Sequence, residues 1–373
     1  MAIVGGLGNQ TILDFINENT IYGDVLNNLS VIGGNDKIFG LEGGDLISGD
    51  AGGQITPTGV GGNDSIQGGN GDDTIYGDAV LQIFGVGGND AIQQNGGVGV
   101  LVGDGQTIEA NARGGNDSLS GAGSLYGDSL SSLRGAGGDD VLNATVSTVA
   151  SALWGDAGGH LYGSASGGDD KLSGGAEADQ LVGDGASLKS SSTGGNDSLF
   201  GNGAGDSLYG DALGAISGIC KAGHDKLSGG SGADTIYGDG TTLSQFSQAG
   251  NDIIFGGSGG DTIFGDGALS DNAVGGNDRI NGDAGNDNIW GDGPLSGAAV
   301  GGEDTFVFAG SFGDDIVNDF RSGEDIILFK GITADEVLVT VGANTTITTF
   351  GQDSVTLVGF TGDLVFGVDV LFA

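Results

Sequence analysis

The 373-residue sequence contains one cysteine, two histidines and two prolines. A disulfide framework, a zinc cluster and a Cys–His nucleophile all need more of these residues than the chain has. Cys220 is therefore expected to be a small buried apolar residue. Glycine is abundant, at 84 residues, but proline is scarce and glycine follows no strict three-residue period, which excludes a collagen helix.

Positive charge is equally scarce, with 10 Lys and Arg against 50 Asp and Glu and a net charge of −40. A nucleic-acid partner is excluded because phosphate binding needs a basic patch. No apolar run reaches the length of a membrane span, and residues 1–6 do not form the basic start of a signal peptide. We therefore expect neither a transmembrane segment nor a cleaved signal. A compact state with this charge would repel itself unless it bound cations.

The sequence is organised instead as an internal repeat of about 27 residues. The pattern Gly-Gly-Asn-Asp-x-(Ile/Leu) recurs at spacings between 23 and 30 residues. Copies begin at Gly33, Gly61, Gly87, Gly114, Gly137, Gly167, Gly194, Ala222, Ala249, Gly275 and Gly301. Self-similarity at this period predicts a solenoid of about eleven coils, each stacked on its neighbours.

Within a coil, aspartates follow a spacing of nine and then five residues, as in Asp252, Asp261 and Asp266. We call these the first-, second- and third-position aspartates. Glycine pairs permit tight turns with positive φ, and the aliphatic residue after each of the first two aspartates starts a strand facing the interior. Stacked coils lie about 4.8 Å apart, so carboxylates of neighbouring coils converge and repel unless a cation lies between them. A set of hard oxygen ligands favours Ca²⁺ over zinc or copper, and Mg²⁺ is disfavoured because it retains water in a strict octahedron.

The candidate calcium ligands are therefore the repeated aspartates. The first-position candidates are Asp36, Asp64, Asp90, Asp117, Asp140, Asp170, Asp197, Asp225, Asp252, Asp278 and Asp304. The second-position candidates are Asp45, Asp73, Asp179, Asp206, Asp234, Asp261 and Asp287. The third-position candidates are Asp78, Asp184, Asp211, Asp239, Asp266 and Asp292.

Two stretches, GGNGDDTIY at residues 68–76 and GGSGADTIY at residues 229–237, resemble the nonapeptide repeat of RTX proteins, G-G-x-G-x-D-x-U-x. The resemblance implies an all-β, right-handed parallel β-roll or β-solenoid. It also implies that Ca²⁺ ions, several per chain, are held between successive turns by glycine carbonyls and aspartate carboxylates.

The chain departs from the family pattern because a third segment of about nine residues follows each pair of nonapeptides. This segment could form the third side of a solenoid or a loop ejected from a two-sided roll. A leucine recurs in it, which favours a continuous coil with that leucine as a core anchor. These leucines are Leu188, Leu243, Leu269 and Leu295.

The second-position aspartate is missing from residues 87–166, so fewer ions are expected there, with stacking carried by apolar residues, Tyr126 and Trp154. Aromatic residues also recur in a row along the chain. The row could form a carbohydrate-binding face, but we expect it to be a packed ladder between strands. Its members are Tyr22, Tyr76, Tyr126, Trp154, Tyr209, Tyr237, Phe264 and Trp290.

We divide the chain into an N-terminal cap with a partial coil at residues 1–32, an RTX-type solenoid at 33–303 and a C-terminal β cap at 304–373. Candidate capping residues at the N-terminus are Leu13, Phe15, Ile16 and Ile21. The C-terminal segment has alternating strands joined by acidic turns. It resembles the uncleaved C-terminal signal of RTX proteins exported by type I secretion.

The resemblance implies a protein secreted to the exterior or cell surface of a Gram-negative bacterium, where it folds on Ca²⁺ binding. A structural, surface-layer or adhesion role follows, with self-assembly or a cell-surface polysaccharide as candidate interactions. The motifs H-E-x-x-H and G-x-S-x-G are missing, so we predict no enzymatic activity. Two alternatives stay open: an accessory calcium-binding module of a secreted enzyme or polysaccharide-binding protein, and an ice-binding solenoid, for which residues 345–349 are a local threonine run.

Overall fold

The computed structural model describes residues 2–13 and 19–373, which form three sheets of short strands. The first sheet has 16 strands and includes the strand that follows each second-position aspartate. In spatial order its strands are Ala2–Val4, Thr20–Tyr22, Leu46–Ser48, Thr74–Tyr76, Gly99–Val102, Gly123–Tyr126, Ala152–Trp154, Gln180–Val182, Ser207–Tyr209, Thr235–Tyr237, Thr262–Phe264, Asn288–Trp290, Asp314–Val317, Ser354–Leu357, Thr345–Thr349 and Val337–Val341.

The second sheet has 14 strands and includes the strand that follows each first-position aspartate. In order they are Thr11–Leu13, Lys37–Phe39, Ser65–Gln67, Ala91–Gln93, Ser118–Ser120, Val141–Asn143, Lys171–Ser173, Ser198–Gly203, Lys226–Ser231, Ile253–Ser258, Arg279–Ala284, Thr305–Ala309, Ile326–Lys330 and Val370–Phe372. The third segments form the third sheet, with eight strands. These are Ala79–Ile83, Gly105–Ile108, Ser129–Leu133, Ala157–Leu161, Gly185–Ser190, Ala212–Gly218, Gly240–Gln245 and Ala268–Leu269.

Pairing between coils is parallel and in register. Ile236, for example, pairs with Leu208 of the preceding coil and Ile263 of the following one. Its side chain is fully buried, as is the central aliphatic residue of nearly every strand of the first and second sheets. The alternation of a strand places that residue between the sheets and its neighbours outside. The predicted parallel β-solenoid of about eleven coils, with about 27 residues per coil, is confirmed.

The third segment is neither a bare loop nor a third wall around a single core. Its strands stack as a sheet and enclose a second apolar cluster, separate from the main core. Leu188, Leu243 and Leu269 are buried in this second cluster, as expected. The expectation was wrong for Leu295, which is 42% exposed. It lies beyond Ala268–Leu269, the last strand of the third sheet, so no later third-segment strand covers it.

Both ends of the chain extend the stack. Ala2–Val4 and Thr11–Leu13 pair in parallel with strands of the following coils. Of the candidate capping residues, Ile21 is buried and Leu13 is exposed, while Phe15 and Ile16 lie outside the described residues.

The C-terminal part adds an antiparallel element to the first sheet. Val337–Val341 and Thr345–Thr349 form a hairpin, which pairs with Ser354–Leu357 and follows a short 3₁₀ turn at Ala334–Glu336. Four phenylalanines fill the core beneath this end of the solenoid: Phe306, Phe308, Phe312 and Phe329. Within residues 2–13 and 19–373, no helix is long and apolar enough to cross a membrane.

Candidate metal centre

The first- and third-position aspartates come together in one row. The third-position aspartate follows a strand of the first sheet. The first-position aspartate lies in the turn that connects the third segment to the next strand of the second sheet. Across this junction the backbone N–H of Gly223 donates to Asp211 Oδ1 at 2.7 Å, and the N–H of Gly250 donates to Asp239 Oδ1 at 2.7 Å. We call the combined set the junction row, which lies between the two apolar clusters.

The second-position aspartates form a separate row at the turn that joins the second sheet to the first. We call this the outer row. Here Asp234 Oδ1 accepts a hydrogen bond from the backbone N–H of Asp206 at 2.7 Å, and Asp261 Oδ1 accepts one from Asp234 at 2.8 Å. The structure thus assembles the sequence-predicted aspartates into two parallel rows along the solenoid, all of them no more than 3% exposed.

The first-position carboxylates are held by a ladder along the junction row. The backbone N–H of Asp197 donates to Asp225 Oδ1 and that of Asp225 donates to Asp252 Oδ1, each at 2.7 Å. The other oxygen, Oδ2, is buried and accepts no hydrogen bond from any described residue. This holds for Asp36, Asp64, Asp90, Asp117, Asp140, Asp170, Asp197, Asp225, Asp252, Asp278 and Asp304. A buried carboxylate oxygen without a partner is costly, so the repetition indicates a ligand.

Nearly every unpartnered oxygen faces a glycine and a main-chain carbonyl of another coil. A Cβ atom built on Gly183 would lie 2.0 Å from Asp197 Oδ2 and 1.7 Å from the carbonyl oxygen of Gly210. A Cβ atom on Gly229, in the outer row, would lie 2.2 Å from Asp234 Oδ2 and 2.6 Å from the carbonyl oxygen of Gly256. The glycines therefore leave open a space on which a carboxylate and a carbonyl converge.

The pKa values of buried aspartates in both rows are raised, which also indicates that the rows need positive charge. Asp50 and Asp104 also belong to the junction row, where they accept hydrogen bonds from the backbone N–H groups of Gly62 and Gly115. Burial, followed by the neighbouring carboxylate of Asp78, raises the pKa of Asp50 to about 11. Burial, followed by Asp117, raises the pKa of Asp104 to about 8. In the outer row, burial raises the pKa of Asp206 to about 7. Charged carboxylates in these rows therefore need a compensating cation at neutral pH.

The structure adds aspartates that the sequence analysis did not select. Asp50 completes the nine-then-five set of Asp36 and Asp45. Other third-position aspartates occur in coils without a second-position aspartate, and the C-terminal segment supplies one more set with altered spacing. The additional residues are Asp24, Asp50, Asp104, Asp128, Asp156, Asp315, Asp319 and Asp325. The signal for five of them was present as an aspartate directly after a glycine, as in Gly103-Asp104, one coil apart from its neighbours.

Two side chains bring N–H donors to positions where carbonyls or carboxylates converge. Gln94 replaces the glycine found at this turn in most coils, and its Nε2 donates to the carbonyl oxygens of Gly71 and Gly96 at 2.5 Å each. At the C-terminal end of the junction row, Arg321 Nη2 lies 2.8 Å from Asp292 Oδ2 and donates to the carbonyl oxygen of Gly302 at 2.6 Å. The chain thus neutralises the end of this row itself.

The aromatic row forms two packed stacks, one between Tyr126 and Trp154 and a longer one from Tyr209 to Trp290. Tyr237 stacks on Tyr209 and on Phe264, with ring centroids 5.3 and 4.7 Å apart, and Phe264 stacks on Trp290 at 4.4 Å. The rings are nearly parallel, with interplanar angles of 5° to 15°. Their faces are therefore occupied by one another, which leaves edges rather than faces for a sugar.

The oxygen atoms fit a hard divalent cation. Within the described parts of the chain, no three acidic, His or Cys side chains form a cluster able to hold a metal by themselves. A cation in these rows would therefore be held by carboxylates together with glycine carbonyls. Oxygen-only sets of this kind suit Ca²⁺, which accepts six to eight ligands in flexible geometry.

Together, fold and site define a parallel β-solenoid with rows of oxygen ligands between its coils. A family model described as "RTX calcium-binding nonapeptide repeat (4 copies)" matches residues 32–53, 58–79, 164–187, 191–212, 221–241, 247–268 and 272–293. The predicted resemblance is confirmed: the chain carries hemolysin-type RTX repeats in multiple copies, and such repeats bind Ca²⁺. No curated protein matches the chain.

Proposed function

We propose that this chain is a secreted protein that folds when Ca²⁺ fills its rows and then serves as an extracellular structural, surface-layer or adhesion element. The observation that carries the proposal is the extent of the two rows. Buried carboxylates recur in every coil from Asp24 to Asp325, so the whole solenoid depends on charge compensation. We assign the first-, second- and third-position aspartates as ligands, together with the glycine carbonyls that face them.

The environment would control folding through this dependence. A bound Ca²⁺ supplies positive charge between carboxylates that otherwise repel. At low Ca²⁺, inside a cell, the rows repel and the chain remains unfolded and exportable. Outside, millimolar Ca²⁺ exceeds the dissociation constants of about 10⁻⁴ to 10⁻³ M that extracellular modules have. Binding free energy then becomes folding free energy, and folding propagates because each coil contacts only its neighbours.

A noncatalytic role is supported by how the acidic residues are used. The repeat places nearly all buried aspartates in the two rows, where their carboxylates face glycine carbonyls. Repeat-only RTX β-rolls are typically noncatalytic. An ice-binding face is disfavoured, because Thr345 and Thr349 in the local threonine run are buried and the strand lies within a hairpin.

The first test is a Ca²⁺ titration of the metal-free full chain, followed by circular dichroism. We expect a cooperative gain of β-signal at millimolar Ca²⁺ and its loss on adding EGTA. Mg²⁺ at the same concentration serves as the control and should not reproduce the gain. A β-signal that is equally strong in EGTA would contradict Ca²⁺-dependent folding.

The second test concerns export. Residues 304–373, fused to the C-terminus of a passenger protein, should direct it to the medium of a Gram-negative host that has a type I exporter. The same fusion in a host lacking the exporter is the control. Retention of the passenger in both hosts would refute the proposed signal. Electron microscopy of the Ca²⁺-loaded chain then distinguishes monomers from filaments or layers.

A further inference from the structure

The strands of the third sheet carry basic side chains in a chain that is otherwise strongly acidic. None of the eight strands that the structure describes in this sheet contains aspartate or glutamate, although the chain has 50 acidic residues. The adjacent strands Ala157–Leu161 and Gly185–Ser190 carry His160 and Lys189. We propose that His160 and Lys189 form a binding site for a sulfate ester. The inference goes beyond the proposed function and uses no residue of the two aspartate rows.

The strand pairing places both side chains on the outward face of the sheet. Leu161 and Leu188 pair between neighbouring coils and are buried in the second apolar cluster. His160 comes directly before Leu161 and Lys189 directly after Leu188, so both point to the opposite face and are partly exposed. His160 pairs with Ser187 of the next coil, whose buried hydroxyl lies 2.6 Å from His160 Nδ1.

Tyr162 positions the basic side chains around its ring. The ring meets the imidazole of His160 edge to face, with centroids 5.3 Å apart and an interplanar angle of 82°. Lys189 Nζ lies 5.5 Å from the centre of the tyrosine ring, and the guanidinium carbon of Arg134 lies 5.9 Å from it. Cations at such distances from an aromatic ring are attracted to it. Three basic side chains from three consecutive coils are therefore held close together.

The charge of Lys189 is available to a ligand. Arg134 forms an ion pair with Glu109 at 3.4 Å, whereas Lys189 forms no ion pair with any described residue. Burial, followed by the charge of Lys189, lowers the pKa of His160. This shift shows that the ammonium group and the imidazole lie close enough to repel each other when both are charged. An anion bound between them would replace that repulsion with attraction.

The hydrogen bond between His160 and Ser187 suits both protonation states of the imidazole. A serine hydroxyl can donate to a neutral Nδ1 and can accept from a protonated one. In the protonated form Nε2 also carries an N–H, and this nitrogen has no hydrogen bond to a described residue. Lys189 and protonated His160 can therefore both donate charge-assisted hydrogen bonds to one anion, and these are the stronger class of hydrogen bond.

A sulfate ester fits this site in charge and in shape. It carries one negative charge, which matches the one unpaired ammonium group, and its three terminal oxygens can accept from Lys189 and His160 together. A phosphate ester carries about −1.5 to −2 charges at pH 7, so a chain with a net charge of −40 would repel it more strongly. The site lies on an open face, so the rest of the ester can extend into solvent.

The chain has two histidines, so NMR spectra of the imidazole groups report directly on the site. The Ca²⁺-loaded full chain is titrated with glucose 6-sulfate, and the pKa of His160 is measured with and without the ester. We expect the ester to raise this pKa, because a nearby anion favours the charged imidazole. His224 is exposed in a turn outside the third sheet, and its signals should not change on adding the ester.

Substitutions then test the two residues separately. Lys189→Gln should weaken the binding of glucose 6-sulfate by about tenfold in calorimetry, because a hydrogen bond to a charged group is lost. Without the ester, the same change should raise the pKa of His160. Lys330→Gln removes the same charge from an exposed lysine of the second sheet and should change neither quantity. His160→Gln should remove the gain in affinity that we expect between pH 8 and pH 5.5.

Glucose, glucuronate, glucose 6-phosphate and sodium chloride at equal ionic strength are the comparison ligands. A larger rise in the pKa of His160 with glucose 6-sulfate than with any of them would support the proposal. An equal rise with glucose or sodium chloride would overturn it, and tighter binding of glucuronate or glucose 6-phosphate would overturn the choice of a sulfate ester.

Equal affinities of Lys189→Gln and Lys330→Gln would show that Lys189 does not contact the anion. An unchanged His160 in a chain that circular dichroism shows to be folded would refute the site and leave the proposed Ca²⁺-dependent folding intact.

Discussion

Gly265→Ala tests the spaces that the glycines leave along the junction row. The new methyl carbon would lie 1.8 Å from the carbonyl oxygen of Gly291 and 2.2 Å from Asp278 Oδ2. Both atoms would have to move by about an ångström. The carbonyl belongs to the next coil, whose neighbouring residue Trp290 accepts the N–H of Gly265 at 3.1 Å. The substitution therefore strains the stacking of two coils at the position where an ion would bind.

The magnitude follows from three contributions. Overpacking a filled site costs about 1 to 3 kcal/mol, and loss of one backbone hydrogen bond costs about 1 kcal/mol. Against these, replacing glycine by alanine restricts the unfolded chain and stabilises the fold by about 0.4 to 1 kcal/mol. We expect a net loss of about 2 kcal/mol in the Ca²⁺-loaded protein and a shift of the folding midpoint to higher Ca²⁺.

Gly260→Ala is the matched control in the same coil. Gly260 is exposed, and the nearest atom to its new Cβ would be the carbonyl oxygen of Asn286 at 3.3 Å. This variant should stay within about 0.5 kcal/mol of the parent. Urea denaturation at fixed Ca²⁺ and Ca²⁺ titration by circular dichroism measure both proteins. If the two variants had the same stability and the same Ca²⁺ midpoint, the view that Gly265 bounds an ion site would be wrong.

Three further predictions concern charge, pH and the second core. Arg321→Ala should lower the free energy of unfolding by about 2 kcal/mol and so lower the melting temperature, since its ion pair with Asp292 is only partly buried and a fully buried pair would cost more. Arg134→Ala breaks an exposed ion pair and should leave the melting temperature nearly unchanged. Burial raises the pKa of Asp64 in the folded state from 3.8 to about 9. The metal-free fold is therefore stabilised at a pH below the unfolded-state pKa, and it loses that stability as the pH rises through the folded-state pKa. Circular dichroism in EGTA should show more β-structure near pH 4 than near pH 8, and the reverse order would contradict the buried placement of Asp64. Leu243→Ala should cost about 2 to 5 kcal/mol in urea denaturation and Leu295→Ala under 1 kcal/mol, since only the first side chain is buried; equal losses would argue against a second core.

Much of the fold was predictable because one local rule repeats. A glycine turn, an aspartate and an aliphatic residue specify a turn and an inward-facing strand, and the period of about 27 residues stacks these units in register. The inward placement of residues such as Ile236 and Ile263 follows from the two-residue period of a strand alone. Long-range information was needed only where the repeat changes.

The junction row shows where sequence reasoning stopped. Asp104 and Asp156 lie in coils without a second-position aspartate, so a search by the nine-then-five spacing passes over them. These two aspartates join the junction row only because the chain passes through the third segment and then forms the first-position turn beside them. The local sequence pattern does not predict that these two turns lie side by side. The antiparallel hairpin Val337–Val341/Thr345–Thr349 was similarly hidden, because alternating strands reveal their faces but not their partners.

The direction of the aspartate ladder has a consequence for how such a protein changes length in evolution. Each first-position N–H is satisfied by the carboxylate of the following coil, and this relation is the same at every step. Duplicating or deleting one complete repeat would restore every donor and acceptor, while changing the molecule by a single interstrand step of about 4.8 Å. An insertion of a few residues within a turn would instead misalign one rung at that point. Gain or loss of whole repeats would therefore change the length of the solenoid and preserve the hydrogen bonds between its coils.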